Sequence, residues 1–263
     1  MGELAIAAWR LLFAAALLTP FALAFGGRAL SGFSSRDWRR IALAGVLLAI
    51  HFAAWISSLA YTSVASSVAL VSSHPLWVAL IGYLLSGDRA GYQTFLGIAL
   101  TMAGTATILW SDQSTGIGSA PLAGNLLAIV GAISVAGYIL LARSMRAAVG
   151  MLAYVWIVYS IAAAVLVAGA AATGTLLAEL TAAGMLFVLA MAIGPQLVGH
   201  TAINYAARQL RPTLVSVAIL GEPVLSAAFA WVLLGEAIAP LQLAGFAITL
   251  CGILCCALDD RSG

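Results

Sequence analysis

Apolar residues run through this chain in blocks of about twenty, the length that carries an α-helix once across a bilayer core. Short breaks rich in charge, glycine or proline separate them, and the blocks fall near 4–25, 41–60, 64–85, 92–110, 122–142, 151–172, 182–205, 212–234 and 238–258. Between Arg40 and Asp88 lie 47 residues without a single Asp, Glu, Lys or Arg. Transmembrane strands would alternate over ~10 residues, and these runs are longer and uniformly apolar. The pattern predicts an all-α polytopic membrane protein with nine spans.

A second pattern is an internal repeat. Residues 63–104 align with 211–252 at a constant offset of 148. His74-Pro75 falls on Glu222-Pro223, and Leu-Ser-Gly-Asp at 85–88 on Leu-Leu-Gly-Glu at 233–236. Gly97, Thr101 and Gly104 fall on Gly245, Thr249 and Gly252. This Gly/Thr/Gly spacing puts small residues on one helix face, where backbones approach closely in lipid. Five crossings, an odd number, separate equivalent spans, so the copies point opposite ways. The expected fold is an inverted-topology repeat of five-helix units, with four helices in residues 1–115 and five in 116–263. A 5+5 protein whose first helix lies outside this sequence accounts for the deficit; a nine-span protein is the other reading. Inverted repeats recur in secondary transporters, with the site at mid-membrane on the repeat interface.

Composition narrows the function. The chain is 63% hydrophobic and 8% charged, against roughly 45–50% and about 25% in soluble domains. All eleven basic residues are arginine, so neither a Walker A loop nor a lysine Schiff base is available. A dispersed net charge of +2 gives no nucleic-acid footprint. Ten of the eleven arginines fall in alternate connections and the tail; the positive-inside rule makes that side, and the C-terminus, cytoplasmic, in the cytoplasmic membrane. The first apolar run follows Met1-Gly2-Glu3 without a basic n-region, unlike a signal peptide. Cys251, Cys255 and Cys256 crowd one apolar run and read as helix-packing residues.

A charged side chain at mid-bilayer costs at least ~2.5–3.5 kcal/mol on insertion scales, so each one invites a functional reading. His51, His74 and Glu222 are each the eleventh residue of their spans, near the midplane. Pro75, Pro195 and Pro223 withhold an N–H and mark hinges. Gln196, His200 and Asn204 recur every four residues, one helix stripe. His51, Trp55 and Ser58 share a face of the second span; Ser66, Ser67, Ser73, His74 and Trp77 share one of the third. These faces are expected to line a central cavity, with Trp55, Trp77 and Tyr138 as platforms for an apolar or aromatic ligand. The bland reading is that such groups tie helices together, for ~0.6 kcal/mol each. Glu222 has three roles open: packing, a protonated carboxyl, or a coupling proton. Arg10, inside the first span, could pair with Glu222, hold a substrate carboxylate, or snorkel outward. Three separated histidines without HExxH, DxxD or paired carboxylates give no catalytic, metal or cofactor site.

The run AAWRLLFAAALL resembles the second helix of EamA-domain proteins of the drug/metabolite transporter superfamily. SSLAYTSVASSVALVSSHPLWVAL followed by LLSGD is similar to the end of that family's first repeat, and LGEPVLSAAFAWVLLGEAIAPLQLAGFAITLCGI to the end of its second. The resemblance spans essentially the whole chain, and the EP…LLGE block is its most specific part. It implies ten helices and transport, more often export, of small metabolites such as amino acids. The departure is the first helix, which in the family helps wall the cavity. The expected function is secondary active transport by alternating access, with a small-molecule substrate, the bilayer and protons as a candidate coupling ion. A passive channel or a non-transporting assembly subunit is the alternative.

Overall fold

The structure, a computed structural model, describes residues 2–30, 33–86, 91–115, 118–144, 150–178, 180–203, 205, 229–235 and 238–259. Every regular element among them is helical: α1 (Glu3–Leu30), α2 (Ser35–Ser58), α3 (Val64–Val71), α4 (His74–Ser86), α5 (Tyr92–Thr115), α6 (Pro121–Ser144), α7 (Met151–Ala172) and α8 (Ala182–Met191). α8 runs on as a π-helical segment, Ala192–His200; a second π segment, Ala230–Leu234, precedes α9 (Pro240–Asp259). Six of the described helices are long and apolar enough to cross a membrane. Six of the nine expected spans are among these and those at 92–110 and 238–258 are helical, with two corrections. The third is broken at Ser72–Ser73 into α3 and α4, and the seventh changes from α to π geometry after Met191. The span expected at 212–234 lies outside the described residues except for its end.

The helix bounds extend the 148-residue repeat beyond the segment in which it was read. α1 begins at Glu3 and α7 at Met151; α5 begins at Tyr92 and α9 at Pro240; α4 ends at Ser86 and the second π segment at Leu234. The chain divides into two compact units, Met1–Ile56 with Gly137–Gln209, and Ser57–Ala136 with Leu210–Gly263. Each unit therefore draws helices from both repeats.

In the first unit, α1 lies antiparallel against its repeat equivalent α7. Leu4 reaches to 3.6 Å of where a Gly169 Cβ would stand, and Trp156 Nε1 donates to Thr19 Oγ1 at 3.0 Å. The α1 face is mostly alanine (Ala7, Ala8, Ala14 and Ala15, with Leu11) and meets the buried Ala162, Ala163 and Ala170 of α7. Small faces let apolar helices pack closely where lipid supplies no hydrophobic drive. Gly45 admits α2 to Ile161 of α7, at 2.7 Å from a would-be Cβ. α2 opens with a capping box: the Ser34 amide donates to Asp37 Oδ2 at 3.0 Å and the Asp37 amide to Ser34 Oγ at 3.2 Å. α7 ends on Gly174, whose φ of +69° suits a residue without a Cβ.

In the second unit the repeated Gly/Thr/Gly motif forms the contact between its own two copies. α5 and α9 cross antiparallel. A Cβ on Gly104 would stand 2.6 Å from the Thr249 amide nitrogen and 2.8 Å from the Gly245 carbonyl oxygen. A Cβ on Gly252 would stand 2.6 Å from the Thr101 nitrogen and 2.7 Å from the Gly97 oxygen. The two sets exchange under the 148-residue offset, so a local two-fold relates the copies, as an inverted repeat requires. Beside it a core of Ala69, Leu70, Ile108, Ala128 and Phe246 is buried. Polar groups pair around it: Ser58 and Ser67 hydroxyls at 2.6 Å, Thr62 Oγ1 donating to Asn125 Oδ1 at 2.8 Å, and Gln242 Nε2 donating to Ser63 Oγ at 3.1 Å and to Ser66 Oγ.

Candidate functional site

Polar and aromatic side chains gather inside the first unit, and the repeat explains where. Phe52 of α2 and His200 of the π segment are equivalent positions, 148 residues apart, and their rings meet edge to face at 5.4 Å. They mark the local two-fold of this unit. Around Phe52 stand the candidates from α2: His51 is 5% exposed and stacks on Trp55, with centroids 5.7 Å apart and planes 25° apart. His51 also meets Phe52 at 4.8 Å.

Arg10 completes the cluster from α1. Its guanidinium carbon sits 4.4 Å from the Phe52 centroid and 6.0 Å from that of Trp55. Cations within ~6 Å of a ring face are held by its quadrupole, by about 2 kcal/mol or more when desolvated. The side chain is 2% exposed, which corrects the option that Arg10 snorkels to the membrane surface: an aromatic face holds it inside. Its pairing with Glu222 concerns a residue outside the described set, as do Pro223 and Asn204.

The second repeat supplies Gln196 and His200. Gln196 is fully buried and His200 half-buried. The expected stripe assumed α geometry. In the π segment hydrogen bonds run from i to i+5 and a turn takes slightly more than four residues, so Gln196 and His200 stay near one face. Pro195, the expected hinge, lies inside this segment, where its missing N–H cannot join the α-helical ladder. Tyr159 of α7 donates its hydroxyl to the Gln196 carbonyl oxygen at 3.5 Å. Both Gln196 side-chain atoms are buried without a hydrogen bond. Tyr138 is buried in the part of α6 belonging to this unit, beside Gly137, which packs on Leu47 of α2.

His74 and Trp77 belong to the second unit. His74 opens α4 just after the helix break, with Nδ1 3.3 Å from the Val71 carbonyl oxygen, and Pro75 takes the first turn, where proline fits. The hinge expected at Pro75 thus coincides with an observed interruption. The Trp77 indole nitrogen is buried without a hydrogen bond. Ser66 and Ser67 are tied into hydrogen bonds within this unit.

Phe52 was missed by sequence reasoning. A phenylalanine in an apolar span carries no polar signal, and only its place opposite His200 under the 148 offset could have pointed to it. Among the described residues no group of His, Cys, Asp or Glu is placed to hold a metal ion.

The described helices and the repeat they share define a polytopic helical membrane protein built on two repeats. The EamA-like transporter family model matches residues 1–110 and 122–258, and the chain belongs to that family. It is a multi-pass membrane protein of a transporter family. Among curated proteins none matches it in sequence. One protein known from a crystal structure is similar in fold, with a TM-score of 0.66 at 19% identity, over 99% of this chain and 90% of its own.

Proposed function

We propose that the protein is a secondary active transporter that exports small metabolites such as amino acids from the cytoplasm by alternating access. The observation that carries this reading is the Arg10–Phe52–Trp55–His51–His200 cluster, buried in the first unit where equivalent positions of the two repeats meet. Inverted-repeat carriers place their ligand on that interface. A cation held between rings suits a ligand with an anionic or dipolar head and an apolar body. The aromatic walls supply apolar area; Arg10 and the imidazoles supply orientation. With no lysine for a nucleotide loop, an existing gradient drives the cycle. Protons are the proposed coupling ion, with His51, His74 and Glu222, each placed near mid-span, as the candidate carriers.

Counterflow in proteoliposomes tests this. Vesicles loaded with one unlabelled amino acid accumulate its labelled form transiently, and saturably, through a carrier. A linear, non-exchanging leak would identify a channel, and no flux under any gradient would favour a subunit that needs a partner.

A further inference from the structure

Gln196 is fully buried, and neither its Nε2 nor its Oε1 has a hydrogen-bond partner. Leaving a donor and an acceptor together without partners inside a protein is unfavourable and calls for an explanation. Packing does not supply one. The repeat-equivalent position, 148 residues earlier, is Leu48, equally buried and apolar. The same fold element thus accepts leucine in one repeat and carries an orphaned amide in the other. The backbone at Gln196 is also irregular. It lies in the π segment after Gly194-Pro195, and nothing stands within 4 Å of where a Gly194 Cβ would be, so neighbours do not clamp that turn. π-helical turns inside α-helices occur frequently at functional sites. Gln196 is joined to the aromatic cluster through His200 on the same segment, packed on Phe52.

We propose that Gln196 is the specificity-determining residue of this site and reads a planar amide edge on the ligand. An amide offers N–H and C=O side by side in one plane. Its complement is a group offering C=O and N–H in the same way: a primary carboxamide, a lactam, a ureide or a nucleobase edge. Two hydrogen bonds then close a ring, and the orphaned pair is satisfied. The half-buried ring of Trp55, which carries His51 on one face, is the aromatic surface proposed to meet a flat ligand body.

The proposal rests on reading this cluster as the ligand site, and its test separates the two. Binding to the detergent-solubilised full chain is followed by quenching of tryptophan fluorescence with two matched pairs, nicotinamide against nicotinate and benzamide against benzoate. A site that reads charge alone favours the carboxylates, because Arg10 stands in the cluster. An amide-reading Gln196 makes each amide bind at least about tenfold tighter than its acid, since a mismatched head leaves a buried polar atom unpaired. Gln196→Leu installs the residue of the first repeat and removes the preference while keeping the melting temperature at or above the parent's. Should Gln196→Leu fail to fold, Gln196→Met keeps the length without an amide and also loses the preference. Equal binding of each pair, binding of neither member, or a preference that survives both variants overturns the proposal. Amide binding without counterflow would overturn the transporter reading alone; counterflow without amide preference would overturn only this one.

Discussion

The two units differ in what surrounds their buried polar groups. In the second, serine, threonine, asparagine and glutamine pair with one another: Ser58 with Ser67, Thr62 with Asn125, Gln242 with Ser63 and Ser66. Its Thr101 and Thr249 hydroxyls, which lack hydrogen bonds, are pressed onto glycines of the facing helix. In the first, a guanidinium lies on a benzene ring, imidazoles pack on aromatic rings, and a glutamine amide is left without a partner. Polarity that is fully paired holds helices together. An amide left without a partner is arranged for something else, and in a transporter family the candidate is the ligand.

The largest effect is expected where the second unit has no slack. Gly252→Leu drives a side chain into the Thr101–Gly97 backbone of α5; overpacking of this kind costs about 1–3 kcal/mol and occasionally more. Because the barrier is backbone, the expected outcome is loss of monodisperse protein on size-exclusion chromatography. In the first unit, Phe52→Leu keeps an apolar side chain but removes the ring under Arg10. It lowers the melting temperature by a few degrees, reflecting about 2 kcal/mol of cation–π attraction, and reduces exchange at least about tenfold, a loss of 1.4 kcal/mol or more by the usual conversion. A smaller effect separates paired polarity from the rest. A double-mutant cycle of Thr62→Val and Asn125→Leu should give a coupling near 0.6 kcal/mol in stability, with exchange unchanged. The smallest belongs to Gly82, with nothing within 4 Å of a would-be Cβ: Gly82→Ala should stay within about 0.5 kcal/mol of the parent. Equal sensitivity at Gly82 and Gly252 would undo the contrast.

Much of the fold was legible because lipid imposes it. Apolar run length set the helices; Met151–Ala172 appears with the bounds expected from the pattern. The Gly97/Thr101/Gly104 motif and its copy announced a close crossing, and the structure joins the two copies to each other. The breaks were harder. Pro75 and Pro195 flagged places where the α ladder fails, but not its form: an interruption at Ser72–Ser73 in one case, a π segment in the other. That form depends on neighbouring packing rather than on local composition. Of the site, the ionisable groups were legible because each is costly at depth. Phe52 was not, because apolar residues in an apolar span carry no contrast. Nor could spacing show that Gln196 would lack partners while Gln242 would find two, since both are single amides in apolar runs.

The central claim is that the buried Arg10–Phe52 cluster holds the transported ligand. The most direct measurement is counterflow of labelled amino acids in proteoliposomes carrying equal amounts of the parent protein and of Arg10→Gln, which keeps a polar planar group but removes the charge. The account predicts saturable exchange in the parent and at least about tenfold weaker exchange in the variant, through a raised half-saturation concentration. Exchange by Arg10→Gln at the parent's rate and half-saturation would contradict it.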